Sequence, residues 1–368
     1  MYKEKDLVRI AKRENNNARN YLVVNRLQAK HIPAVPSEAI GMFDSLAEMI
    51  KGRFDAEKTL LIGFAETATA IGSHLAVRLG SAYMQTTRED IEGAEYLYFT
   101  ESHSHAVEQR LVKNQLSLIA EHINDIVFVE DELTTGNTIL KAVGAIKAAY
   151  PDRSLHFSAA SILNGMDKNA LEVFEKENVD VYYLVKTDHS VYPDIAQGCC
   201  CDGIYNEVLS SKGVTAGIHT VKGAPDPRVM TDGKTLCSAC SELAERICSR
   251  MDKRAGENIL VIGTEECMYP AIFTGTELEK RGYRVRTHST TRSPIAVSGD
   301  PDYPLHRRYK LKSLYDSERT TFIYDVDKYD RVLVITDAGA ESSEGTDSLV
   351  AAIGNAGNDR IDIVRWEK

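Results

Sequence analysis

The chain has 368 residues, 43% hydrophobic and 27% charged, as expected of a soluble globular protein with two domains or three. Its net charge of −10 argues against wholesale nucleic-acid binding, and no apolar run approaches the roughly 20 residues that span a bilayer. The charged N-terminus MYKEKDLVRIAKRENNNARN has no apolar centre like that of a secretion signal, and seven cysteines fit a reducing compartment, so the expected location is cytoplasmic.

In chain order, Leu60-Leu61-Ile62-Gly63 reads as a short buried strand. Thr67 to Leu79 has helical spacing and stops at Gly80, a favourable left-handed end. Thr86-Thr87-Arg88-Glu89 lies just past a further strand. Tyr98 to Gln109 is dense in titratable groups, with Glu101, His103 and His105 as candidates for proton transfer. Ile126 to Val129 is a buried strand running into Glu130 and Asp131. The turn Thr134-Thr135-Gly136-Asn137-Thr138 follows, and Ile139, Val143 and Ile146 carry a helix that ends before Pro151. His156 to Ile162 and Val179 to Val185 read as strands around a helix near Lys168 to Glu177. This alternation predicts an α/β fold: a mainly parallel sheet with helices on both faces and ligands at the carboxyl ends of its strands.

Two adjacent carboxylates followed by a Thr- and Gly-rich turn suit a sugar phosphate. The acids accept hydrogen bonds from vicinal ribose hydroxyls, and the turn and helix N-terminus offer donors and favourable field to a phosphate.

Ser210 to Asp232 is rich in Gly and Pro and weakly periodic, which predicts a linker between residues 1–209 and 233–368. Beyond it the earlier order returns. Asn258 to Glu266 parallels Thr59 to Glu66, Thr290-Thr291-Arg292 parallels Thr86-Thr87-Arg88, and Asp337 after Val332 to Ile335 parallels Glu130-Asp131. A second, related α/β unit is predicted, with a loop from Asp337 to Thr346 that has lost one acid of the pair. Cys199-Cys200-Cys201, Cys237 and Cys240 offer thiolates. Cys240 shares a helical stripe with Leu236, Leu243, Ile247 and Met251, so core packing is expected there rather than metal.

The run Ile126 to Thr138 resembles the phosphoribosyl pyrophosphate (PRPP) loop of type I phosphoribosyltransferases, with Glu130 where Asp is commoner. The segments KHIP, GFAETATAIG and HSHA, with Thr291-Arg292-Ser293-Pro294 and Tyr315 to Tyr324, resemble the family in which such a transferase is fused to a TRSP domain in bacterial tellurium-resistance and stress operons. The resemblance implies Mg2+-dependent transfer of 5-phosphoribose from PRPP to a nitrogenous base, releasing pyrophosphate, in the making of a nucleotide-like metabolite. It places the ribose hydroxyls and metal on Glu130 and Asp131, and the 5-phosphate on Thr134, Thr135, Gly136, Asn137 and Thr138. Glu66, Thr67, Ala68 and Arg88 would face pyrophosphate, with Glu101, His103 and His105 on a catalytic flap. Lys30 and His31 would meet the acceptor from an N-terminal hood. Arg292, Ser293 and Arg319 suggest an anion site in the second unit, with Glu265 and Glu266 at its edge. The expected partners are PRPP and a base-like acceptor, without nucleic acid or membrane, and the expected assembly is a homodimer. Two other readings are a nucleotide-sensing regulator without turnover and the reverse, nucleotide-cleaving reaction.

Overall fold

The computed structural model describes residues 2–14, 16, 19–99, 109–207, 213–251, 256–339 and 343–368. The chain forms two compact units, each discontinuous in sequence. The central unit joins Gly41–Thr187 to Pro225–Ala239; the terminal unit joins Met1–Ile40, Asp188–Ala224 and Cys240–Lys368.

The first elements are α1 (Glu4–Leu7), β1 (Val8–Lys12), β2 (Tyr21–Asn25), α2 (Pro36–Ile50), a 3-10 turn (Ala56–Lys58), β3 (Thr59–Gly63), α3 (Thr69–Leu79) and β4 (Ala82–Gln85). Next come β5 (Tyr96–Tyr98), β6 (Arg110–Val112), α4 (Lys113–Ile119), β7 (Asp125–Leu133), α5 (Asn137–Ala149), β8 (His156–Asn164), α6 (Lys168–Lys176) and β9 (Val179–Lys186). Then follow α7 (Tyr192–Gln197), β10 (Ile204–Glu207), β11 (Ala216–Lys222), β12 (Thr231–Asp232), α8 (Gly233–Ser249), β13 (Asn258–Gly263) and α9 (Tyr269–Lys280). The last are β14 (Arg284–Ser289), β15 (Arg307–Lys312), β16 (Thr320–Tyr324), β17 (Arg331–Thr336), α10 (Ser343–Asn355) and β18 (Ile361–Glu367).

In the central unit the sheet order is β12-β4-β3-β7-β8-β9. All neighbours are parallel except the short edge pair β12–β4. Every residue of β3 is buried, as a strand covered on both faces requires. One face packs Leu60, Ile62, Phe64, Phe128 and Phe157 with the apolar stripe of α5, Ile139, Val143 and Ile146. Gly80 ends α3 in the left-handed region, its N–H bonding Ala76 O, as predicted. The helix starts at Thr69 rather than Thr67.

The terminal unit holds a parallel sheet ordered β11-β18-β17-β13-β14, together with the antiparallel pair β1–β2 and the small sheet β10-β15-β16. Its main core is built on Leu260, Ile262, Val332, Val334, Leu349 and Ile363.

Two expectations about organisation are corrected. The N-terminal segment, expected to be the hood of a domain spanning 1–209, clusters with the terminal unit. Ala34 forms an antiparallel bridge with Thr287, and Lys30 Nζ donates to the carbonyls of Glu265 and Thr290, both at 3.1 Å. The segment 210–232, expected as a linker, carries β11 and β12, because β11 finds a seven-residue parallel register on β18. The α8 stripe of Leu236, Cys240, Leu243, Ile247 and Met251 is buried, so Cys240 is a packing residue.

Candidate active site

Three loops of the central unit meet at the carboxyl ends of β3, β4 and β7. Gly63 pairs with both Gln85 and Val129, which puts the three loops side by side. β3 lies where the strand order reverses, since β4 follows it on one side and β7 on the other, and clefts of α/β sheets open at such a point.

The loop after β3 is pinned on two sides. Ala65 N–H donates to Thr86 Oγ1 at 2.8 Å, Thr86 Oγ1–H donates to Gln109 Oε1 at 2.6 Å, and Gln109 Nε2 donates back to Ala65 O at 2.8 Å. Thr86 N–H also bonds Gly63 O at 2.9 Å. The Ala65–Glu66 peptide is cis. On the other side, Thr67 Oγ1 donates to Asp131 Oδ1 at 2.8 Å, tying the expected pyrophosphate loop to the acid pair. Glu66 and Ala68 are buried in this loop, and Arg88 is half-buried just after the antiparallel bridge between Thr87 and Arg110.

The acid pair lies inside β7 rather than beyond it. Pairing with β8 continues through Glu130↔Ser161 and Glu132↔Leu163, which needs backbone and not apolar side chains. Glu130 and Asp131 are half-buried. Burial raises the Glu130 carboxyl well above the usual carboxylate range, and the neighbouring charges of Asp131 and Glu132 push the same way. Thr134 to Thr138 form the turn into α5, with Gly136 in the left-handed region at φ 70° and the Phe174 ring directly behind it. Thr135 and Asn137 are exposed and Thr134 and Thr138 half-buried, so this side of the turn faces solvent.

Glu101, His103 and His105 lie outside the described residues. Their described flanks, β5 and β6, form an antiparallel pair. Lys30 and His31, expected to meet the acceptor, are buried in the terminal unit at 0% and 3% exposure. Thr86 and Gln109, which pin this loop, lie in the runs Thr86 to Glu89 and Tyr98 to Gln109 but are not among the site residues expected from the sequence; Thr86 belongs to the Thr-Thr pair that recurs at Thr290-Thr291.

In the terminal unit, Glu265 gathers the arginines. Its Oε2 accepts from Arg292 Nε at 2.7 Å and Arg319 Nη1 at 3.1 Å, and its Oε1 accepts from Ser313 Oγ at 2.5 Å. Arg292 Nη2 also reaches Glu266 Oε1 at 3.4 Å. Ser293 stands apart: its N–H donates to Thr291 Oγ1 and its carbonyl accepts from Tyr324.

A family model described as phosphoribosyl transferase matches residues 7–188, and one described as the TRSP domain found C-terminal to that transferase matches 230–353. The chain belongs to the phosphoribosyl transferases that carry a TRSP domain. Comparison with curated proteins gives no match. Similar solved structures include adenine phosphoribosyltransferase from Trypanosoma brucei, at 19% identity and TM-score 0.31, covering 41% of this chain and 65% of that one, so the chain spans just under two thirds of that enzyme. Adenine phosphoribosyltransferase from Giardia lamblia gives 16% identity and TM-score 0.35, covering 50% and 95%. Orotate phosphoribosyltransferase from Aeropyrum pernix gives 17% and 0.29, covering 44% and 78%. The transferase segment contains all three loops of the candidate site, and the TRSP segment contains Glu265, Arg292 and Arg319.

Proposed function

We propose that the central unit binds Mg2+·PRPP and transfers its 5-phosphoribosyl group to a nitrogenous acceptor, releasing pyrophosphate. The C1–O bond to pyrophosphate breaks and a bond from C1 to the acceptor nitrogen forms, with positive charge building on the ribose as the leaving group departs. Asp131, oriented by Thr67, accepts from one ribose hydroxyl and Glu130 from the other. Thr134 to Thr138 hold the 5-phosphate at the start of α5, where backbone N–H groups and the helix field favour an anion. The loop Glu66-Thr67-Ala68 and Arg88 face the pyrophosphate, and Glu101, His103 or His105 supply the proton chemistry of the flap.

The donor set fits Mg2+ brought in on the substrate. Among the described residues no group of three or more His, Cys, Asp or Glu is placed to hold a metal. Glu130 and Asp131 are hard oxygen donors, and Mg2+ commonly takes one or two carboxylates with substrate phosphates and water. Bound there, it would neutralise pyrophosphate charge. A role in making a nucleotide-like metabolite of a stress or tellurium-resistance operon, in the cytoplasm and as a homodimer, completes the proposal. No helix among the described residues is long and apolar enough to cross a membrane.

The observation that supports this reading most is the Thr67–Asp131 hydrogen bond, which joins the two loops that would grip opposite ends of PRPP. Incubation with PRPP, Mg2+ and a panel of bases should release pyrophosphate with at least one base, and Asp131→Asn should weaken PRPP binding. Unaltered PRPP binding in that variant would remove the acid pair from the site.

A further inference from the structure

The terminal unit repeats the strand order of the central one. From the edge carrying an antiparallel pairing, the central sheet runs β12, β4, β3, β7, β8, β9, and the terminal sheet runs Ala34, β14, β13, β17, β18, β11. The difference lies in chain order: β11 precedes β13, β14, β17 and β18, whereas β9 follows β3, β4, β7 and β8, and the antiparallel edge comes before its sheet at Ala34 but after it at β12.

Local bonding repeats as well. Gly63 pairs with Val129 and Gly263 with Ile335, which aligns Glu130-Asp131 with Thr336-Asp337. Thr86 N–H bonds Gly63 O, and Thr290 N–H bonds Gly263 O. Ala65 N–H bonds Thr86 Oγ1 at 2.8 Å, and Glu265 N–H bonds Thr290 Oγ1 at 3.0 Å. Thr87 bridges Arg110, and Thr291 bridges Phe322. Both acids also accept from a hydroxyl: Asp131 from Thr67, and Asp337 from Tyr315 at 2.5 Å. Arg292 therefore stands where Arg88 stands, and Glu265 stands where the central unit has Ala65.

That exchange places a carboxylate in the loop. The Glu265 side chain is 1% exposed, its backbone sits at φ 44°, and both arginines and Ser313 close on it. A buried, fully bonded carboxylate beside two guanidinium groups is what an anionic ligand would otherwise supply. A backbone held in the left-handed region by a non-glycine residue marks a position that its surroundings enforce.

We propose that Glu265 is a built-in anion: its carboxylate fills, in the TRSP unit, the seat that a phosphate or pyrophosphate group takes beside the matching arginine of the transferase unit. The anion expected at Arg292 and Arg319 is thus the chain's own. The second sheet is a transferase-type cleft closed to PRPP, and each chain carries one PRPP site. The choice of pyrophosphate as the mimicked ligand rests on the role proposed for Arg88.

Calorimetric titration with inorganic pyrophosphate tests this on the full chain. Glu265→Ala should bind one more pyrophosphate per chain than wild type, and Arg292→Ala in the same background should abolish the added site. The increment is independent of the transferase reading, whose failure would appear as no site in wild type and one in Glu265→Ala. A folded Glu265→Ala protein with no added site overturns the proposal. So does a wild-type site that Arg292→Ala removes, since the arginine would then serve a ligand with Glu265 present. Should Glu265→Ala be unfolded, Glu265→Gln keeps the shape without the charge and should gain the site. If both variants remain unfolded even in excess pyrophosphate, the anion cannot replace the carboxylate and the proposal falls.

Discussion

Gly136→Ala is the sharpest probe of the phosphate turn. Gly136 caps α5 at φ 70°, and a methyl built on it would lie 2.3 and 2.4 Å from two ring carbons of Phe174. Phe174 is 1% exposed and packed in the core, so its ring has little room to withdraw. A side chain in the left-handed region costs about 1–2 kcal/mol, and overpacking a filled core costs about 1–3 kcal/mol. The variant's turn therefore escapes a penalty of roughly 2–5 kcal/mol by shifting, and PRPP binding must reimpose it. At about 1.4 kcal/mol per tenfold, affinity should fall at least roughly 25-fold. Calorimetric PRPP affinity and the KM for PRPP in pyrophosphate release measure the loss, while thermal melting separates it from unfolding. Adding Phe174→Leu to Gly136→Ala should recover the overpacking part and leave the backbone part, with Phe174→Leu alone as control. Wild-type PRPP affinity in folded Gly136→Ala would refute the placement of the phosphate on this turn.

Two further outcomes follow from the bonding already described. Thr86→Val removes the hydroxyl shared by Ala65 N–H and Gln109; a buried donor left without its partner costs about 1–3 kcal/mol, so pyrophosphate release should slow by roughly 5- to 150-fold, measured as kcat/KM at unchanged secondary structure. His288 is buried in β14 with its Nε2 on Tyr324 O, and burial lowers it to about 4, with the Lys30 charge acting the same way. Below its ordinary value near 6.5 the unfolded chain takes up a proton that the folded chain refuses, so stability falls as pH drops from about 6.5 to about 4, by roughly 3 kcal/mol in total. Thermal melts across that range should show the loss, and His288→Asn should flatten it.

The parallel strands were legible because burial on both faces writes a continuous apolar run, as in Leu60-Leu61-Ile62 and Ile126 to Val129. The continuation of β7 through Glu130, Asp131 and Glu132 was not, since pairing with β8 is a property of backbone and leaves no apolar trace. β11 read as linker for a related reason. It is an edge strand with Ile218 and His219 exposed, punctuated by glycines, and only its partner β18 makes it a strand. The place of residues 1–40 was hidden because the partners of Lys30 and Ala34 lie far along the chain, at Glu265, Thr290 and Thr287. The repeated Gly, Thr-Thr-Arg and acid positions did carry the second unit, because turns at strand ends tolerate few residue types. What spacing could not convey was the side chain of Glu265, which turns the same backbone from an open loop into a filled one.

The two acids of the pair differ in a way that bears on binding. Thr67 donates to Asp131, whereas burial and two neighbouring acids oppose charge on Glu130. In the free protein Glu130 keeps its proton to higher pH than an ordinary carboxyl. Its folded-state pKa lies above the unfolded one, so the folded chain binds more protons between the two values and stability declines as pH rises through that window. Glu130→Gln should therefore melt at higher temperature than wild type above the window, with the gap closing in acid, while PRPP binding is lost. In the proposed complex the balance reverses, because a cation or ribose hydroxyl donors at Glu130 would favour the carboxylate. PRPP binding with Mg2+ should release protons, a release that shrinks as pH rises because an already ionised group has none to give. Calorimetry in buffers of different ionisation enthalpy reads the number directly. Binding that releases no protons at any pH, or the same number in Glu130→Gln, would show that Glu130 takes no part in holding the ligand.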